Sequence, residues 1–160
     1  MATIERHEEV AASRQRVFEL IADLHGYGRW LPSSGDYRGT SEISPPPVRV
    51  GTTYRETSPS GVRTGVVTAL DAPNEVVFHQ PMELRPRFAG TIDSTVTMRV
   101  SPPAADSGTV RVTRIVELGI PRRLTLLRGL VVSRYGAESE RMLRALKSFA
   151  ESDGDEAARS

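Results

Sequence analysis

Two helical patterns stand toward the ends of this chain, SRQRVFELIADL (Ser13 to Leu24) and a second from about Leu124 to Glu151, and the residues between them read only as short strands. This order leaves few architectures. A single antiparallel sheet has one apolar face to bury, and the long terminal helix is the element available to cover it. A curved sheet closed by a helix surrounds an interior, so the expected class is α+β with a pocket between sheet and helix. The length of 160 residues suits one domain over residues 1–152, with the polar end SDGDEAARS supplying a disordered tail from 153 to 160.

Composition narrows function mainly by exclusion. Acidic and basic residues nearly balance at 20 and 21, a formal charge of +1, which gives no electrostatic footprint for nucleic acid. Every basic residue except Lys147 is arginine. Cysteine is absent, so no disulfide framework, thiolate nucleophile or cysteine-ligated metal is available. The start MATIERHEEV is too polar for a signal peptide, and no run approaches the roughly 18 apolar residues of a spanning helix. A cytoplasmic protein without integral membrane association is expected.

Thr3 to Val10 alternates and ends at Ala-Ala-Ser, a first strand running into a helix capped by Ser13. Val17, Leu20, Ile21 and Leu24 recur at helical spacing, with Phe18 widening the stripe. HGYGRWLPS then sets two glycines and a proline around the only tryptophan, Trp30, in a short turn or second helix. Strands are expected near Tyr37–Ile43, Thr52–Thr57, Arg63–Leu70, Glu75–Gln80, Thr91–Val100 and Thr109–Leu118. A stiff Pro45-Pro46-Pro47 stretch, SPSG, DAPN and PPAADSG separate them, as in an antiparallel meander. Gly119 and Pro121 stop the last strand, and Leu127, Val131, Tyr135, Met142, Leu146 and Phe149 form the inner stripe of the closing helix. Gly129 and Gly136 interrupt that stripe, so the element is expected to begin as a separate turn or bend near Gly136.

This order of elements resembles the START-like (SRPBCC) superfamily, particularly its bacterial polyketide cyclase/dehydrase-like members. The resemblance covers about residues 3 to 150 and is carried by SRQRVFELIADLHGYGRWLP, VGTTYRET, DAPNEVVF, SGTVRVTRIVEL and MLRALKSFAE. It implies a helix-grip fold, in which a curved antiparallel sheet of six to seven strands wraps around a long C-terminal helix, with two short helices after the first strand. It also implies a menu of functions. Members bind lipids, sterols, polyketides or hormones in the cavity, a minority catalyse aromatisation or cyclisation, and others act through protein partners.

Strand parity proposes which residues meet such a guest, because alternate side chains point to opposite faces. In TVRVTRIVEL, Val110, Val112, Val116 and Leu118 share a face with Arg114. An inward arginine must be paired, hydrated or waiting for an anionic or carbonyl ligand, since an unpaired buried charge costs several kcal/mol. Tyr54 and Glu56 share a face with Thr52, and Arg6 and Glu8 lie between Ile4 and Val10 on the first strand. The ligand-binding set is therefore Tyr54, Glu56 and Arg114, with Phe78 and Met98 on apolar strands, Trp30 at the cavity mouth or in the core, and Tyr135 and Met142 on the helix. With the parity reversed, Arg114 would snorkel at the sheet edge and Glu56 would face solvent.

Signatures of catalysis are thin, and no catalytic residue is assigned. His7, His25 and His79 show no metal-binding spacing, no GxSxG elbow is present, and GYG at Gly26 to Gly28 lacks a dinucleotide loop's third glycine, so neither metal nor cofactor is expected. His79 would suit a general base if it pointed inward, but it follows Phe78 and so faces the other way if Phe78 is buried. The leading expectation is binding of a hydrophobic or amphipathic small molecule such as a lipid or polyketide. A polyketide aromatase/cyclase or dehydratase-like enzyme is the alternative. A third reading is a protein- or membrane-interaction module using Arg122, Arg123, Arg128 and Arg134, whose competing explanation is a solvated helix face. The chain is expected as a monomer or homodimer, since edge strands support either.

Overall fold

The computed structural model describes residues 1–103 and 107–159, with side chains described for 1–103 and 107–152. The side chains of the expected tail, 153–160, and the centre of the PPAADSG loop lie outside the described residues.

Strand β1 (Ala2–Val10) leads to helix α1 (Arg14–Ala22) and a 3-10 turn (Leu24–Arg29). Strands β2 (Thr53–Ser58), β3 (Gly61–Asp71), β4 (Glu75–His79), β5 (Met82–Leu84), β6 (Thr91–Val100) and β7 (Val110–Gly119) follow. A 3-10 turn (Arg122–Leu127) opens helix α2 (Arg128–Arg159). The strands form one antiparallel sheet of order β1-β7-β6-β4-β3-β2, with β5 bridging β3 and β6. This is the helix-grip arrangement.

Local chemistry explains the element ends. The Ser13 hydroxyl accepts from the Arg16 amide at 3.1 Å and satisfies a first-turn donor of α1. Val17, Phe18, Leu20 and Ile21 then face the sheet as a buried stripe. On the sheet, Val110, Val112, Val116 and Leu118 of β7 and Ile92, Val96, Met98 and Val100 of β6 build the core beneath Leu143, Leu146 and Ala150 of α2. At roughly 1.5–3 kcal/mol per buried large apolar side chain, this layer is the main stabilising term.

Three local expectations are corrected. Tyr37–Ile43 forms no strand: it is laced to β2 by one bridge, Ser41 to Arg55, and by Ser44 accepting from and donating to Thr53. The seventh strand is instead β5, which at three residues, set off by Pro81 and Pro86, is too short to show a period. The closing helix runs through Gly136 without a break. Gly136 is buried where α2 crosses β1, and a Cβ there would lie 3.0 Å from Arg6 Nη2 and 4.0 Å from Ile4 Cγ2, so glycine permits close approach. The inner stripe also begins later than expected, because the 3-10 turn changes the phase and leaves Leu127 50% exposed.

Candidate functional site

Beneath α2, the sheet and the segment 24–37 line a partly open cavity of about 60 Å³. Tyr54, Glu56, Arg63, Phe78, Gln80 and Arg114 rise from the strands, Tyr135, Glu138, Arg141 and Met142 descend from α2, and Leu24, Tyr27, Leu31 and Tyr37 close the side. A second cavity of about 90 Å³ lies between the start of α2 and β5 and β6, walled by Met82, Leu84, Ile92, Val131 and Arg134 among others. Arg63, Tyr135 and Glu138 belong to both walls and form the partition.

The polar floor is set by register. Glu56 of β2 stands directly opposite Arg63 of β3, and their side chains approach to 3.7 Å. Thr40 Oγ1 donates to Glu56 at 3.3 Å and is itself 2.9 Å from the Tyr37 hydroxyl. Arg63 donates to the Asp36 carbonyl at 3.3 Å and lies over the Tyr135 ring, 5.6 Å from its centroid. Burial pushes the Glu56 carboxyl above its ordinary range, against the pull of Arg63 and the Thr40 hydrogen bond.

Two tyrosines stay phenolic for the same reason. Burial raises both Tyr27 and Tyr54 far above the ordinary phenol value. Tyr27 donates to the Ile21 carbonyl at 2.5 Å, and Tyr54 donates to Gln80 Oε1 at 2.6 Å. The position of Tyr54 depends on its cross-strand partner, Gly65: a Cβ at Gly65 would lie 2.1 Å from Tyr54 Cζ. Gly65→Ala is therefore expected to displace the ring, break the bond to Gln80 and cost about 1–3 kcal/mol. Thermal unfolding would show this as a loss on the order of 5 °C, and an unchanged midpoint would contradict it.

Arg114 is the inward arginine of β7. Its Nε donates to Ser139 Oγ at 3.1 Å, and Nη1 lies 3.0 Å from Met142 Sδ and 3.6 Å from Met98 Sδ. No carboxylate among the described residues forms an ion pair with it. Burial pulls its pKa below the ordinary guanidinium value, the mark of a cation held away from water, while Tyr27 and Glu56 partly support the charge. The lining residues comprise Arg63 facing Glu56, Arg141 paired to Glu138 at 2.9 Å, and Arg114, so three cations meet two carboxyls. The surplus charge is that of Arg114.

Of the residues expected from sequence, Tyr54, Glu56, Phe78, Arg114, Tyr135 and Met142 are brought together around this cavity. Trp30 is not among its lining: it packs edge-on against Tyr27 with centroids 5.1 Å apart and serves as backing for that wall. Met98 lies under Arg114 without lining the cavity. Arg6 is drawn to Glu140 of α2 at 3.0 Å, and Glu8 lies part-buried further along β1; neither lines the cavity. His79 is on the outer face, 2.7 Å from Asp93 Oδ1. It cannot act as a base inside the cavity. Tyr27, Tyr37, Arg63, Gln80, Glu138 and Arg141 were not foreseen, although Arg63 had a usable signal in its shared parity with Gly65 and Val67 on β3, and Gln80 in its shared parity with Val76 and Phe78.

Solved structures share this fold at low identity. A START superfamily protein from Mycobacterium smegmatis superposes with a TM-score of 0.70 at 14% identity, over 94% of this chain and 97% of that one. Norcoclaurine synthase from Thalictrum flavum, a point mutant bound to a transition-state analogue, gives 0.71 at 15% identity over 96% of both chains. The same enzyme with dopamine and hydroxybenzaldehyde gives 0.68 at 18% identity, over 92% and 85%. No curated protein matches the chain in sequence. The family described as polyketide cyclase/dehydrase and lipid transport matches residues 1–151. With a helix-grip fold, a cavity under the long helix and a family match over nearly its whole length, the chain belongs to the polyketide cyclase/dehydrase and lipid transport family.

Proposed function

We propose that this protein binds an amphipathic small molecule beneath α2, with an acidic oxygen of the guest received by Arg114 and its apolar body against Phe78, Leu24, Leu31 and Met142. The observation that carries this reading is the position of Arg114, a part-buried cation facing the cavity whose hydrogen-bond partners are a hydroxyl and two thioether sulfurs and which no carboxylate among the described residues pairs directly. A guest carboxylate would supply the missing counter-charge and satisfy the guanidinium fork. The cavities of about 60 and 90 Å³ are narrow beside the roughly 300–1,000 Å³ of drug-sized sites. A lipid or polyketide therefore occupies both and widens them, which requires the Tyr135 side chain to swing from the partition and α2 to give way.

Calorimetric titration with decanoate and with decanol tests the head-group requirement at constant chain length. The charge-assisted bond is worth about 1.5–3 kcal/mol, so decanoate should bind ten- to a hundredfold more tightly. Equal affinities would contradict the assignment.

An aromatase/cyclase or dehydratase-like activity is a second reading, favoured by Glu56. Burial keeps this carboxyl protonated at higher pH than usual, which suits an acid that donates to a leaving or carbonyl oxygen while Arg114 stabilises developing negative charge. Glu56→Gln would then abolish turnover of a polyketone while leaving decanoate binding intact; unchanged turnover would remove Glu56 from the chemistry.

The raised Glu56 pKa also sets a stability slope. Between the ordinary carboxyl value of 4.5 and the raised folded value, the folded state binds more protons than the unfolded one. Stability contributed by Glu56 is thus fully present below that window and is lost as pH rises through it. Urea titrations across the acid range should show this decline in the parent protein and its absence in Glu56→Gln. Identical slopes in both would refute it.

A further inference from the structure

The large apolar side chains exposed among the described residues are Met1, Val50, Phe88, Leu126, Leu127 and Leu130. All but Val50 come together at one end of the molecule. Phe88 is 77% exposed, Leu126 99% and Leu130 56%. They sit on separate segments, and hydrogen bonds join those segments: Arg123 donates to the Phe88 carbonyl, and Arg128 donates to the Met1 carbonyl at 3.2 Å. Packing adds to this, since a Cβ on Gly90 would lie 3.3 Å from Pro121 Cγ.

The two segments that carry these side chains bear charge of one sign. Residues 85–90 and 120–135 contain Arg85, Arg87, Arg122, Arg123, Arg128 and Arg134 and no aspartate or glutamate. Arg134 is neutralised by Asp36 at 2.6 Å and Arg87 by Glu83 at 3.0 Å. Arg85, Arg122, Arg123 and Arg128 form no ion pair among the described residues, against a chain whose formal charge is only +1. Apolar side chains ringed by arginine on an otherwise balanced protein are the composition of an interfacial anchor, in which leucine and phenylalanine enter the acyl boundary while the cations meet anionic head groups.

The second cavity lies directly behind this patch. Val131 and Tyr135, in the turns of α2 that follow Leu130, form part of its wall, and Met82 and Leu84 on the other side belong to the strand that leads into Phe88. We infer that the Phe88, Leu126, Leu127 and Leu130 surface docks reversibly on an anionic bilayer, bringing the partition at Tyr135 and Arg63 next to the membrane so that an acidic amphiphile can pass between lipid and cavity. This step rests on the binding reading above for its purpose, but docking itself is measured separately.

Co-sedimentation with vesicles of phosphatidylcholine alone, and of phosphatidylcholine with phosphatidylglycerol, tests it. The expected result is at least tenfold stronger partitioning onto the anionic vesicles, falling as salt is raised. Leu126→Ser with Leu130→Ser should reduce that partitioning at least tenfold, and Arg85→Ala with Arg122→Ala should weaken it and flatten its salt dependence. Because these side chains are exposed, decanoate affinity should be unchanged in all variants, which separates loss of docking from loss of the cavity's ligand. Absence of vesicle binding, or binding that the leucine pair does not affect, would overturn the inference and would assign the patch to an acidic protein partner instead.

Discussion

Arg63→Leu is expected to destabilise the protein by about 3–5 kcal/mol, because it removes one partner of a buried charge pair and leaves the other in place. Glu56 would then keep a single hydrogen-bond donor, Thr40 Oγ1 at 3.3 Å, in a position where burial already opposes its charge. Two features distinguish this mechanism from simple loss of packing. Acidification should shrink the deficit, since a protonated Glu56 no longer needs the guanidinium. Adding Glu56→Leu should restore most of the stability, because an apolar pair of similar volume carries no desolvation cost. Urea unfolding of the parent, the single variants and the double variant measures both. A single-variant loss under about 1 kcal/mol, or a double variant no better than Arg63→Leu, would show that the pair is not coupled.

Arg114→Met separates stability from function. Burial pulls the Arg114 pKa down, and the hydrogen bonds of its guanidinium run to Ser139 and two methionines rather than to a carboxylate. Methionine fills much the same volume without a charge to desolvate, and the Ser139 hydroxyl can turn to a carbonyl of its own helix. The variant should therefore be as stable as the parent or up to about 1–4 kcal/mol more stable. Its decanoate affinity should fall ten- to a hundredfold, to the level of decanol, while decanol binding stays the same. A residue retained only for packing would show the reverse, a stability loss with no change in selectivity.

The sheet's inner face was legible wherever a strand alternates cleanly. On β7 the run Val110, Val112, Val116 and Leu118 identifies the buried face, and Arg114 is conspicuous because it interrupts that run. Tyr54, Glu56 and Phe78 followed from the same parity. The partner of Glu56 did not, because β3 carries two glycines at inward positions and a register shift between Val67 and Ala69, which obscure the alternation around Arg63. Tyr27 and Tyr37 enter the site from a 3-10 turn and an irregular segment, where no period exists to place a side chain. Tyr37–Ile43 has strand-like residues, yet the sheet offers it only one bridge, and the short β5 takes the pairing that closes β3 onto β6. Gly136 looked like a helix breaker. Its role depends on how closely α2 must approach β1, a tertiary distance that no local pattern contains.

The cavity's occupancy by an acidic guest is tested most directly by native mass spectrometry of the parent protein and of Arg114→Met, each purified from its own host. The expected result is a retained small molecule bearing a carboxylate or other acidic group on the parent and none on the variant. A parent protein that emerges empty and takes up no added acid, or a guest held equally by both proteins, would contradict the assignment of Arg114 as its receptor.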